Sequence, residues 1–208
     1  MKNVLRIISF IALICFLWTL DLQAQAVKES IKEQALKLST SVFEKDYESL
    51  IDFTHPAVVE KSGGKEELMN MVKMTMEQLE GEGIKVTKVD ILEPIIVSKY
   101  SENEFHCLVP KYMEMEIGGE QVFKQNSYLF GWSDKDQKKW VFVEANKLRD
   151  GMAQMFIPDF KTNIEIPATI PPTIEKIGGS HDGHNHDGHN HDGHNHDGHD
   201  HGKKKKKE

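Results

Sequence analysis

Cysteine is almost absent from this chain of 208 residues, which carries Cys15 and Cys107 alone. Two thiols cannot staple a small fold or build a multi-cysteine zinc site, so the core must hold by packing. Positive charge is in deficit as well. Lys and Arg number 26 against 33 Asp and Glu, a formal charge of −7, which argues against nucleic acid as a partner. No Gly-rich phosphate loop, nucleophile elbow or His-Glu-x-x-His pattern occurs, so local signatures of nucleotide binding, acyl transfer and zinc hydrolysis are missing. Histidine is scarce before residue 181, where His55 and His106 are the only two.

One apolar run stands out, Ile7 to Leu20, preceded by Lys2 and Arg6 and followed by Ala24-Gln25-Ala26. Its 14 residues fall short of the roughly 20 that cross a bilayer as a helix. A basic start, a short apolar stretch and a small-x-small ending together predict a secretory signal peptide over 1–26, cleaved after Ala26. The expected location is therefore periplasmic or secreted, with membrane contact only through the signal peptide before cleavage. Cys15 follows Leu13-Ile14 inside the apolar run, which does not suit a lipid-anchoring site. The mature chain would keep Cys107, expected to be buried.

The other end is a five-residue repeat. His-Asp-Gly-His-Asn occurs three times from His181, followed by His196-Asp-Gly-His-Asp200, His201, Gly202, five lysines and Glu208. With no apolar residue to bury, the segment 181–208 is expected to be disordered without a ligand. Its nine histidines, His181, His184, His186, His189, His191, His194, His196, His199 and His201, are candidate metal ligands. Imidazole is the commonest metal-binding side chain, and Zn, Ni or Cu as exchangeable divalent ions are the expected cofactors. The lysine run is read as a solvated charge cluster. Between 157 and 180, Pro158, Pro167, Pro171 and Pro172 predict an extended connector. Ile164, Ile166, Ile170 and Ile174 alternate with polar residues well enough for part of it to lie on the core.

Residues 27–156 make the expected domain. Ile31, Ala35, Leu38 and Val42 share a helical face, and Asp46 can cap a short second helix that stops at His55-Pro56. A third helix follows Gly63-Gly64, apolar at Leu68, Val72, Met76 and Leu79. Met69, Met71, Met74 and Met76 scatter around that helix, so packing and surface roles are expected rather than one copper site. After Gly83 the period becomes two: Ile84 to Ile91, Phe105 to Ile117, a Gly118-Gly119 turn, Val122 to Trp132, and Trp140 to Val143. Helices followed by an antiparallel meander predict an α+β domain, with three N-terminal helices packed in a curved sheet.

Phe43, Asp46-Tyr47-Glu48, Leu50, Phe53-Thr-His55-Pro56, Val58-Val59, Gly63-Gly64-Lys65-Glu66-Glu67-Leu68 and Trp140-Val-Phe-Val-Glu144 resemble the nuclear-transport-factor-two-like superfamily over roughly 30–150. The resemblance implies a cone-shaped α+β domain, often a homodimer. Some members use the cone for isomerase, dehydratase or epoxide-hydrolase chemistry, and many use it only for binding or association. No catalytic pair of that kind is matched here, so no enzyme activity is assigned. His106, Tyr112 and Asp90 are the pocket candidates, while His55 is read as a helix-stop and packing residue. The sequence thus reads as an exported protein that buffers or sequesters transition metal through its histidine arm. The alternatives are a small-ligand or enzymatic pocket protein and a dimeric interaction module, with the arm incidental.

Overall fold

Where the apolar period changes at Gly83, the chain changes from helix to strand. The computed structural model describes residues 2–93, 95–149 and 153–177, with side chains from residue 22 onward apart from that of Phe156. Four helices come first: α1 (Lys2–Glu44), α2 (Tyr47–Phe53), α3 (Pro56–Lys61) and α4 (Lys65–Gly81). The expected face of α1 is the one buried, with Ile31 and Ala35 fully enclosed and Leu38 nearly so. Val27, the first residue after the expected cleavage point, already packs against this cluster. Lys45 closes α1 in the left-handed region, φ 59°, which lets the Asp46 N–H donate to the Ser41 carbonyl at 2.9 Å. Asp46 then caps α2 by accepting from the Ser49 N–H at 3.1 Å.

The helix count differs from expectation, four against three, because Pro56 acts in two directions. It pushes His55 out of the helical region, which stops α2, and its fixed φ suits the first position of a new helix. His55 completes that start by accepting from the Ala57 N–H through Nδ1 at 3.2 Å.

The sheet is antiparallel and has six strands: β1 (Ile84–Ile91), β2 (Ile96–Ser101), β3 (Glu104–Ile117), β4 (Gln121–Asp134), β5 (Val141–Glu144) and β6 (Thr173–Lys176). β3 and β4 pair along their whole length, from Glu104↔Asp134 to Ile117↔Gln121. Gly118, Gly119 and Glu120 join them, and the two glycines, at φ of 60° and 73°, form a left-handed turn closed by the Glu120 N–H donating to the Ile117 carbonyl at 3.2 Å. Two short strands share each outer edge. β1 and β2 line the free side of β3, and β5 and β6 line the free side of β4. Pro110 sits inside β3 without loss, because its side of the strand falls at the β1–β2 junction. There its carbonyl accepts from the Leu92 N–H at 2.8 Å and no strand asks for the missing donor.

The alternation along β3 and β4 separates two cores. Cys107, Val109, Leu129 and Phe142 face the helices, and Leu108, Phe130, Trp132 and Val143 face the other way. The second core is covered by a 3₁₀ turn (Ala145–Leu148), by α5 (Ala153–Phe156) and by Ile157, Phe160, Ile164 and Ile166. The stretch expected as a connector therefore supplies one cover of the sheet, and the folded part runs on through β6. At Gly131 the first core leaves no room for a side chain. A Cβ there would stand 2.6 Å from Cys107 Sγ and 2.8 Å from the Phe142 ring.

Candidate functional site

A cavity of about 460 Å³ lies between the helices and the inner face of the sheet. Leu38 and Val42 of α1, Leu50 of α2, Leu68 of α4, Met113 of β3 and Phe142 of β5 form its apolar wall. Its uncharged hydroxyls are already committed. Ser39 donates to the Ala35 carbonyl at 2.8 Å and Thr54 to the Leu50 carbonyl at 2.6 Å, each back into its own helix. Three charged residues line the same space: Lys111, Glu144 and Lys147. Lys111 is on the inward register of β3 and donates to Glu144 at the end of β5. Its side chain is only 11% exposed against 39% for Glu144, so the ammonium is the more enclosed partner.

The far edge of β4 carries a gap beside this pair. β5 covers 129–132 and β6 covers 121–124, so 125–128 face neither strand. A second cleft, about 260 Å³, occupies that gap against Pro167–Ile170, and Lys111, Met113, Glu144 and Lys147 line it too. The ion pair is thus common to the apolar cavity and the cleft in the sheet edge.

The pocket candidates lie elsewhere. His106 is fully buried on the opposite face, in the second core. Its ring stacks on Tyr100 at 4.6 Å and meets Phe130 edge-on at 5.2 Å. Nε2 lies 2.7 Å from Glu104 Oε1 and Nδ1 lies 3.1 Å from Thr162 Oγ1. Thr162 Oγ1 also accepts from the Ile164 N–H at 3.0 Å. A neutral imidazole completes this chain of bonds: Ile164 N–H to Thr162, Thr162 hydroxyl to Nδ1, and Nε2–H to the carboxylate. Burial pushes the His106 pKa down, partly opposed by the bond to Glu104. Its role is to fasten the covering segment to the sheet.

Tyr112 and Asp90 are brought together as register partners on β3 and β1, also on the outward face. Tyr112 donates to Glu114 at 2.5 Å, and this bond to a carboxylate raises the phenol to about 12. Asp90 pairs with Lys88 at 2.9 Å, and Lys88 stands 5.5 Å from the Tyr112 ring. Neither Tyr112 nor Asp90 lines the apolar cavity, and His106 is not joined to them. His55 caps α3 and packs on Trp132 at 4.5 Å, as expected of a packing residue. Its pKa is lowered by burial, with Glu104 opposing.

Cys107 is buried and unpaired, and desolvation pushes its thiol well above the usual range. Met69 packs against the helices while Met71 and Met74 are exposed, so the thioethers do not converge. Among the described residues no group of three metal-ligating side chains forms, and no helix is long and apolar enough to cross a membrane. The nine tail histidines lie outside the described residues. Sequence reasoning missed Lys111, Glu144 and Lys147. Extending the alternation of Cys107 and Val109 by one step would have placed a lysine on the inward face. Comparison with protein-family models and with curated proteins finds no match.

Proposed function

We propose that the chain is an exported protein that holds divalent transition metal, Zn²⁺, Ni²⁺ or Cu²⁺, through its C-terminal histidine arm. The observation that carries this reading is the repeat: His181 to His201 recur in alternating steps of three and two residues. Partners two apart in an extended chain sit about 6–7 Å from each other, so both rings can turn onto one ion. Three-residue steps cross an Asp-Gly pair, where the chain bends readily. At four ligands to a tetrahedral ion, nine imidazoles supply about two Zn²⁺ sites. Ordering the arm costs entropy on each binding event, so exchangeable capacity follows rather than one tight centre. By intrinsic affinity Cu²⁺ outcompetes Zn²⁺ and Ni²⁺.

Export rests on Lys2, Arg6, the apolar run to Leu20 and Ala24-Gln25-Ala26. The folded body is read as a nuclear-transport-factor-two-like cone, supported by the order of helices before an antiparallel meander and by the cavity between the two layers. Calorimetric titration of all three ions into the mature chain, beside a chain ending at Ser180, tests the assignment. Binding by the longer chain alone is the expected result. Equal stoichiometry in the shortened chain would overturn it.

A further inference from the structure

We infer that the cavity under the helices is a binding site for an amphipathic monocarboxylate, an apolar chain whose anionic head is taken by Lys111 with Lys147 beside it. Charge balance comes first. The lining holds two cations and one carboxylate, a net positive balance made up of the Lys111–Glu144 pair and the solvent-exposed Lys147, beside an otherwise apolar wall. The second argument is donor capacity. An ammonium has three N–H donors, and among the described residues Lys111 has one hydrogen-bond partner, Glu144. The Lys111 side chain is only 11% exposed, and a ligand carboxylate beside Glu144 would take another of these donors.

The apolar body follows from the wall. Leu38, Val42, Leu50, Met113 and Phe142 offer no free donor or acceptor, and Ser39 and Thr54 are satisfied within their helices. At about 460 Å³ the space falls within the range of small-molecule sites, roughly 300–1,000 Å³. The head lies beside the gap at 125–128, where Lys111, Glu144 and Lys147 also line the cleft in the sheet edge, so the charged end of the ligand falls at that edge. A polar tip at the mouth and a chain within is the arrangement that costs least desolvation. The described lining residues all fall between Leu38 and Leu148, and none is a histidine.

Titration of the full-length mature chain with decanoate, decan-1-ol and decyltrimethylammonium tests the assignment. The probes are kept below their micelle concentrations, and a chelator removes metal from the arm. Decanoate is expected to bind one to one and at least about tenfold more tightly than the cationic probe, the scale of a single charge-assisted contact. Lys111→Met should lower decanoate affinity to that of decan-1-ol while leaving decan-1-ol unchanged. Lys147→Gln, at an exposed position that leaves packing intact, should weaken decanoate severalfold. Unfolding midpoints of both variants keep a folding failure separate from a binding one. Preference for the cationic probe, decanoate affinity untouched by both substitutions, or no binding of any probe would overturn the inference.

Discussion

Replacing Gly131 with alanine adds a single methyl group between the side chains of the neighbouring strands, Cys107 of β3 and Phe142 of β5. The new Cβ would lie 2.6 Å from Cys107 Sγ and 2.8 Å from two atoms of the Phe142 ring. Both neighbours are buried, Cys107 at 0% and Phe142 at 1% exposure, so neither can swing into solvent. Overpacking of this kind costs about 1–3 kcal/mol. Alanine recovers about 0.5–1 kcal/mol of backbone entropy that glycine loses in a strand. Contacts as short as 2.6 Å belong in the upper half of that range, so the net expectation is a loss of about 1–2.5 kcal/mol, a fall of roughly 2–10 °C in Tm at this chain length. Urea unfolding of both proteins, followed by tryptophan fluorescence, measures it. Cys107→Ala removes the nearest obstacle, so the double variant should lose less than the sum of the singles. A Gly131→Ala protein as stable as the parent would refute the packing argument.

His106 and Gln34 give two further expectations. Burial lowers the His106 pKa, so the unfolded chain takes up a proton more readily than the folded one. Stability should therefore be full above about pH 6.5 and decline as pH falls through the folded value. His106→Gln should flatten that acid limb in a series of unfolding midpoints from pH 7 to pH 5. Part should remain, because burial lowers the nearby His55 in the same direction. An unchanged slope would remove His106 as a contributor. Gln34 ties α1 to the loop before β5, accepting from the Trp140 N–H at 2.9 Å and donating to the Lys138 carbonyl at 3.1 Å. Gln34→Ala should cost about 1 kcal/mol, chiefly by leaving the part-buried Trp140 N–H without a partner. A midpoint equal to the parent's would show that water replaces the side chain.

The parts of the fold legible in the sequence are those where one local signal decided the outcome. The Asp46 cap, the apolar face of α4, the Gly118-Gly119 turn and the two long strands each follow from residues close together in the chain. What was not legible depends on distant partners. Ile96 to Ser101 has no clean alternation, and it forms β2 because the upper half of β3 offers it an edge. Thr173 to Lys176 is exposed throughout and is held as β6 only by β4. His106 was noticed as a strand residue, but its partner Thr162 lies 56 positions away in a segment that reads as linker. Lys111 and Glu144 are 33 apart, so their pairing depended on knowing which edge of β4 receives β5. The histidine repeat, by contrast, is local chemistry whose reading needs no fold.

The most direct measurement is the number of zinc ions bound per mature chain, by equilibrium dialysis and metal analysis, at pH 7.5 and again at pH 5.5. Neutral imidazole ligands lead to about two ions at the higher pH and nearly complete release at the lower, since protons displace metal below a histidine pKa near ~6.5. Less than one ion per chain at pH 7.5, or an equal number retained at pH 5.5, would contradict a metal-holding histidine arm.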